Sequence, residues 1–222
     1  MHPMARPASP LARMTRALGD LLRPATAKSG NGLIAFAALG HPAWAPRDYA
    51  SFAREGLMQN AVVYRSVRMI AEAAASVPLL LYEGAEEIEA HPLLDLVARP
   101  APGQTGTDLL EAWLGYLLVA GNAYVEAVAI GGEVRELHLL RPDRVRVVAG
   151  ADGWPEAYDY TTDGRTVRIA GEAVPGVGPV LHQKLFHPVD DHYGFSPIEA
   201  AATAIDIHNA ASRWSKALLD NS

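Results

Sequence analysis

The run from His182 to His192 gathers His182, His187, Asp190, Asp191 and His192, the nitrogen and oxygen donors that hold zinc or a similar divalent ion. A site built on them would make the chain a small metal-dependent hydrolase. Their spacing matches no His-x3-His helix and no paired hairpin, and Pro188 and Gly194 mark a loop. The plainer reading is a polar turn leading into the helix that follows.

Other chemistry finds less support. There is no cysteine, and no serine sits in a G-x-S-x-G elbow. Neither G-x-x-x-x-G-K-[ST] nor G-x-G-x-x-G occurs, so the chain is not itself a nucleotide-driven motor. Gly171 to Gly178 is glycine-rich, but Pro175 removes an amide that an anion nest would use. Glu86-Glu87 and Asp190-Asp191 are adjacent carboxylates; neighbours in a loop point apart and are ordinarily solvated rather than paired for acid–base work. His138 and His208 fall within strand and helix patterns, as interface or surface residues. No cofactor and no metal is expected.

The basic residues of the body cluster at Arg135, Arg141, Arg144 and Arg146, among Glu133, Glu136 and Asp143. That mixture suits salt-bridged contacts between subunits better than a grip on DNA, which needs cations interleaved with exposed aromatics. Five cations stand against Asp20 in residues 1–28, yet the whole chain carries net −6. The remainder is therefore strongly acidic, a surface that DNA passes without sticking.

Half of the 222 residues are hydrophobic and a fifth are charged, as in ordinary globular domains. Without cysteine there are no disulfides or thiolate metal sites. No apolar run reaches the roughly 18 residues of a membrane span.

Three segments must position these groups. Residues 1–58 read as a basic arm, with a short amphipathic helix over Pro10–Leu22, followed by an irregular Pro- and Gly-punctuated lead-in pinned by Trp44 and Tyr49. Residues 59–195 read as an α+β domain. It opens with a helix from Asn60 to Ser76 bearing the stripe Val63, Val67, Ile70 and Ala74, with an Arg68–Glu72 pair outside it. A short apolar strand at Leu79–Tyr82, an acidic turn at Glu83–Glu89 and a short helix at Leu93–Val97 follow. A helix from Thr105 to Val119 starts on Thr105/Asp108 and ends at Gly121.

The strands are expected at Tyr124–Ile130, covered on both faces, then at Val134–Leu140 after the Gly131-Gly132 turn, and at Val145–Val148 after the Pro142 corner. Tyr158–Thr161, Thr166–Ile169 and Val180–Phe186 complete them. Together they predict a mixed, mainly antiparallel sheet with flanking helices. Residues 196–222 read as a long Ala-rich helix opened by a capping box at Ser196, Pro197 and Glu199.

In this order, several pieces resemble the portal proteins of tailed bacteriophages, of the siphophage type also found in prophages and gene transfer agents. They are N-A-V-V-Y-R-S-V-R-M-I-A-E (60–72), S-V-P-L-L-L-Y (76–82), H-P-L-L-D-L (91–96) with R-P (99–100), G-N-A-Y-V-E (121–126), L-R-P-D-R-V-R-V (140–147) and H-Y-G-F-S-P-I (192–198). The resemblance runs from about Asn60 to Asn221. It implies a non-enzymatic subunit of a homo-oligomeric ring, dodecameric in its full-length form, at one capsid vertex of the virion, assembled in the bacterial cytoplasm. Its partners would be copies of itself, terminase, the major capsid protein and the head–tail connector protein. Double-stranded DNA would pass through the channel without sequence-specific binding, and no membrane is involved. Residues 59–195 would be the wing, and the helix from Ser196 would lead towards the stem, with a chain that ends short of the clip, returning stem helix and crown.

Overall fold

The computed structural model describes residues 48–171 and 178–221, all within the unit that spans Trp44–Ser222. The basic arm, the helix expected at Pro10–Leu22 and the Pro175-Gly176 reversal lie outside the described residues.

The stretch expected to stay irregular up to residue 58 is helical from Tyr49. Helix α1 starts as Tyr49–Ser51 and continues as a π-helical segment, Phe52–Met58. The Asp48 carboxylate caps it, accepting from the Ser51 amide at 2.8 Å. Tyr49, Phe52, Ala53, Gly56 and Leu57 do recur at helical spacing, but the pattern is short and follows Pro- and Gly-rich sequence.

Helix α2 (Ala61–Ala75) is capped by the Asn60 side chain, which accepts from the amides of Val62 and Val63. Its buried stripe is Val67, Ala71 and Ala75; the expected Ile70 and Ala74 are exposed. Alanines at 71 and 75 let the helix roll its small-residue face inward, leaving Val62, Met69 and Ile70 outside. Arg68 pairs with Glu72 as expected (Nε–Oε1 2.7 Å) and also reaches Glu111.

Leu79–Leu81 is not a strand. Leu79 and Leu80 are exposed, and only a two-rung ribbon forms, β1 (Tyr82–Glu83) with β2 (Glu86–Glu87). Only the end of the apolar run is paired: the Leu81 carbonyl accepts from the Ile88 amide (2.8 Å) and Tyr82 faces Glu87. Helix α3 (Pro92–Ala98) is capped by His91 Nδ1, which accepts from the Leu93 amide. Helix α4 (Gly106–Ala120) has a reciprocal capping box between Thr105 and Asp108 and stops at Gly121, whose φ is +72°.

The α+β class stands, and every described strand pairing is antiparallel, but the strands are shared between two three-stranded sheets. One is ordered β4 (Glu133–Leu140), β3 (Asn122–Ile130), β8 (Val180–Lys184); the other is β5 (Val145–Ala149), β6 (Pro155–Thr162), β7 (Arg165–Ala170). Gly131 and Gly132 both take positive φ in the β3–β4 turn, as that two-residue turn requires. A short 3-10 turn at Pro142–Arg144 carries the chain from one sheet to the other. Their inner faces meet in a cluster of Tyr124, Leu140, Val145, Tyr158 and Val180. β3 is buried at residues 122–124 but exposed at Ala129 and Ile130, so it is covered on both faces only at its start.

Helix α5 (Pro197–Asp220) begins on Ser196. A second cluster, Phe52, Val67, Val119, Ile198, Ala202 and Ile205, ties α1, α2 and α4 to its first turns. Beyond Asn209 every described residue to Asn221 is exposed. Ser196 does more than cap. Its hydroxyl accepts from the Ile198 and Glu199 amides and donates to the Val119 carbonyl at 2.8 Å, in a fully buried position. Ser196→Ala is expected to cost about 2–3 kcal/mol, a lost cap plus a buried carbonyl left unpaired. Urea unfolding measures it, and a loss under 1 kcal/mol would show that the carbonyl bond adds nothing.

Candidate functional site

The His182–His192 residues do not converge on one point. His182, on β8, stacks on Tyr124 with ring centroids 4.2 Å apart and bonds through Nε2 to Asn122 Oδ1 at 3.0 Å. His187 Nδ1 accepts from the Val189 amide while its ring meets Phe195 edge-on. Asp190 Oδ1 accepts from the amides of His192 and Tyr193, and these bonds, the one to Tyr193 foremost, hold its carboxyl below the usual range. Asp191 offers its backbone carbonyl to Lys184 Nζ. His192 Nδ1 is buried without a hydrogen-bond partner. Among the described residues no group of three or more His, Asp or Glu could hold a metal ion. The donors serve turns and joints.

Burial pushes the His182 imidazole down to about 4, helped by the nearby charges of Lys184 and His192. The folded state thus favours the neutral ring, whereas an unfolded ring titrates near 6.5. Stability from this group is complete above pH about 6.5 and is lost as pH falls towards 4, on the order of 3 kcal/mol in all. Unfolding free energy measured from pH 7 to 4 should fall more steeply for the wild type than for His182→Gln; equal slopes would refute this assignment.

Asn122 forms the centre of the joint. Its Oδ1 accepts from the Gly194 amide (2.8 Å) and His182 Nε2; its Nδ2 donates to the carbonyls of Ala120 (2.9 Å) and Gly194 (3.3 Å). One buried side chain therefore joins α4, β3, β8 and the loop before α5. Beside it, Gly121 and Gly194 meet backbone to backbone. A Cβ on Gly121 would lie 2.5 Å from the Gly194 carbonyl oxygen, and one on Gly194 would lie 2.0 Å from that of Gly121. A second polar joint links Asn60, Asn209 and the π-helical segment. Asn60 Nδ2 donates to Asn209 Oδ1 (3.0 Å), and Asn209 Nδ2 donates to the Glu55 carbonyl (2.7 Å). Glu55 lies within the π-helical segment. Neither asparagine stands out in the sequence; only its place at a helix start or on the inward stripe of α5 marks it.

The four candidate interface arginines are not one patch. Arg135 pairs with Glu133 beside the β3–β4 turn (2.5 Å), and Arg141 with Asp143 at the 3-10 turn (2.7 Å). Arg144 donates to Thr162 Oγ1 (3.0 Å), and Arg146 to Asp159 (2.7 Å). Arg168, not singled out by sequence, shares that carboxylate from the other side at 2.7 Å. Arg168 and Arg146 hold the Asp159 carboxyl down to about 2. Pro142 opens the 3-10 turn, Pro197 is the first residue of α5, and Glu199 follows in its first turn. No described helix is long and apolar enough to cross a membrane.

Buried polar groups that hold elements together, with large apolar residues left open on α2, α5 and the loops, define an α+β building block. A family model for phage portal proteins matches residues 61–222. The chain belongs to the phage portal protein family. A probable portal protein of Streptomyces phage phiC31 is 30% identical over 173 residues, covering 74% of this chain and 37% of its own length. An uncharacterized protein of Rickettsia bellii (strain RML369-C) is 33% identical over 165 residues, covering 73% and 42%. Among solved structures, a chain in the neck of an empty GTA particle, computed with C6 symmetry, is 52% identical with a TM-score of 0.75, covering 87% of this chain and 53% of that one. A chain in the neck of a native GTA particle, computed with C12 symmetry, is 50% identical with a TM-score of 0.70, covering 86% and 50%. The chain spans about two fifths of the length of the curated relatives it matches.

Proposed function

We propose that the chain is a structural subunit of a phage-type portal ring at the capsid vertex of a phage or gene-transfer-agent particle, with no catalytic role. Copies assemble in the bacterial cytoplasm around a channel through which DNA is packaged and ejected, and the ring docks the terminase motor, the major capsid protein and the head–tail connector. Residues 59–195 act as the wing, and α5 leads towards the stem. Arg135, Arg141, Arg144 and Arg146 lie at contacts between neighbouring subunits. The acidic balance of the body favours free passage of duplex DNA.

The observation that carries this reading is the likeness, at half sequence identity or more, to a chain in the symmetric neck of GTA particles. The apolar surface of distal α5, including Trp214 at 63% exposure, supports it, because a lone subunit rarely leaves so much uncovered. Electron microscopy of particles from the native host is the test. The chain should occur as a closed ring at a single vertex; finding it dispersed over the shell, or absent from the particle, would end the proposal.

A further inference from the structure

Two features of opposite charge lie on separate parts of the fold. On the outer face of the β5–β6–β7 sheet, Arg146, Asp159 and Arg168 are direct cross-strand neighbours. The shared Asp159 is buried, while the two arginine side chains are 72% and 61% exposed. The carboxylate orients both guanidiniums, using one nitrogen of Arg146 and two of Arg168. The two arginines share one carboxylate, Glu156 also lies within electrostatic reach of Arg168, and each fork keeps donors directed outwards. It is a preorganised face for carboxylates.

The ribbon β1–β2 is the converse. Glu83 and Glu86 stand directly opposite one another across it, both exposed. Like charges at directly facing positions destabilise a strand pair. Glu87 and Glu89 add to them, and no Lys or Arg occurs between Met69 and Ala98. Tyr82 on the ribbon and Val77, Leu79 and Leu80 before it are exposed. The ribbon carries facing carboxylates and an open apolar flank in the free chain.

We infer that the Glu83/Glu86 ribbon of one copy docks on the Arg146/Arg168 face of a second copy. Two carboxylates meet two guanidiniums, and the apolar flank is covered in the same contact. The two surfaces differ, so the contact is head-to-tail and propagates from copy to copy, as a ring requires. The inference rests on the portal reading above and names which faces meet.

The test uses the full 222-residue chain. Wild type should self-associate in sedimentation velocity. Glu83→Gln/Glu86→Gln should need about ten-fold more protein for the same association, yet melt no lower than wild type, since removing the facing charges relieves the ribbon. Two singly labelled chains, Glu86→Cys and Arg168→Cys, clean because the protein has no other cysteine, should be joined by a short bis-maleimide only when mixed. A wild type that associates while the Gln variant associates equally well, or while the mixture gives no cross-link, overturns the pairing and leaves the portal reading intact. A wild type that stays monomeric at every concentration overturns both. An Arg168→Gln chain that associates normally but no longer retains duplex DNA would assign the arginines to phosphate and also overturn the pairing.

Discussion

Gly121→Val is expected to leave no cooperatively folded protein at 25 °C. Gly121 ends α4 at φ +72°, a conformation β-branched residues avoid. The added Cβ would sit 2.5 Å from the Gly194 oxygen, 2.6 Å from its carbon and 2.7 Å from the Phe195 carbonyl carbon. All three are main-chain atoms, so no side-chain rotation can make room. Positive-φ strain and overpacking together exceed roughly 4 kcal/mol, most of what keeps a domain of this size folded. Gly131→Ala is the control: φ is +65°, but nothing lies within 4 Å of where its methyl group would stand, so it should lose about 1 kcal/mol. Circular dichroism with urea titration compares the two. If the Gly121 variant loses no more than the control, the close approach is not what demands glycine.

The second large effect belongs to Asn122→Ala. Four hydrogen bonds end on that one buried side chain. Removing it strands the Gly194 amide, two carbonyls and the His182 ring nitrogen away from water. Buried groups left unpaired cost about 1–3 kcal/mol each, and water entering the gap satisfies some of them, so a loss of roughly 3–5 kcal/mol is expected. Asn122→Asp should not rescue it, because two carbonyls would then face a carboxylate oxygen in place of an amide donor. An aspartate variant as stable as wild type in urea unfolding would mean that the Nδ2 bonds do not contribute.

Much of the frame was legible because it rests on local rules. Thr105 with Asp108, Gly121 after an apolar helix, Gly131-Gly132 between alternating strands, and Ser196-Pro197 each dictate a backbone conformation within a few residues, and each occurs where expected. What escaped depends on distant partners. Leu79 and Leu80 are strand-forming residues, but the ribbon reaches only as far as Leu81, whose carbonyl accepts from Ile88. The inward face of α2 is set by α4 and the π-helical part of α1, which select alanines over Ile70. The role of the Glu55 carbonyl exists only because Asn209, far along the chain, reaches it. For the candidate site the division is the same. Arg146 was noticeable in a basic cluster, whereas Arg168 becomes its companion only through the register of β6 with β7. The histidines between 182 and 192 have the composition of a metal site, and only their separate orientations reveal other uses.

One mechanical consequence follows from how α5 is fixed. Its first turns are bolted at Ser196 and Asn209, and the backbone contact of Gly121 with Gly194 leaves the joint no play. The described part of the helix after Asn209 runs about 16 Å at 1.5 Å per residue, continuous with that joint. A sideways push near Trp214 is therefore delivered as torque to the root of β3, with no compliant linker to absorb it.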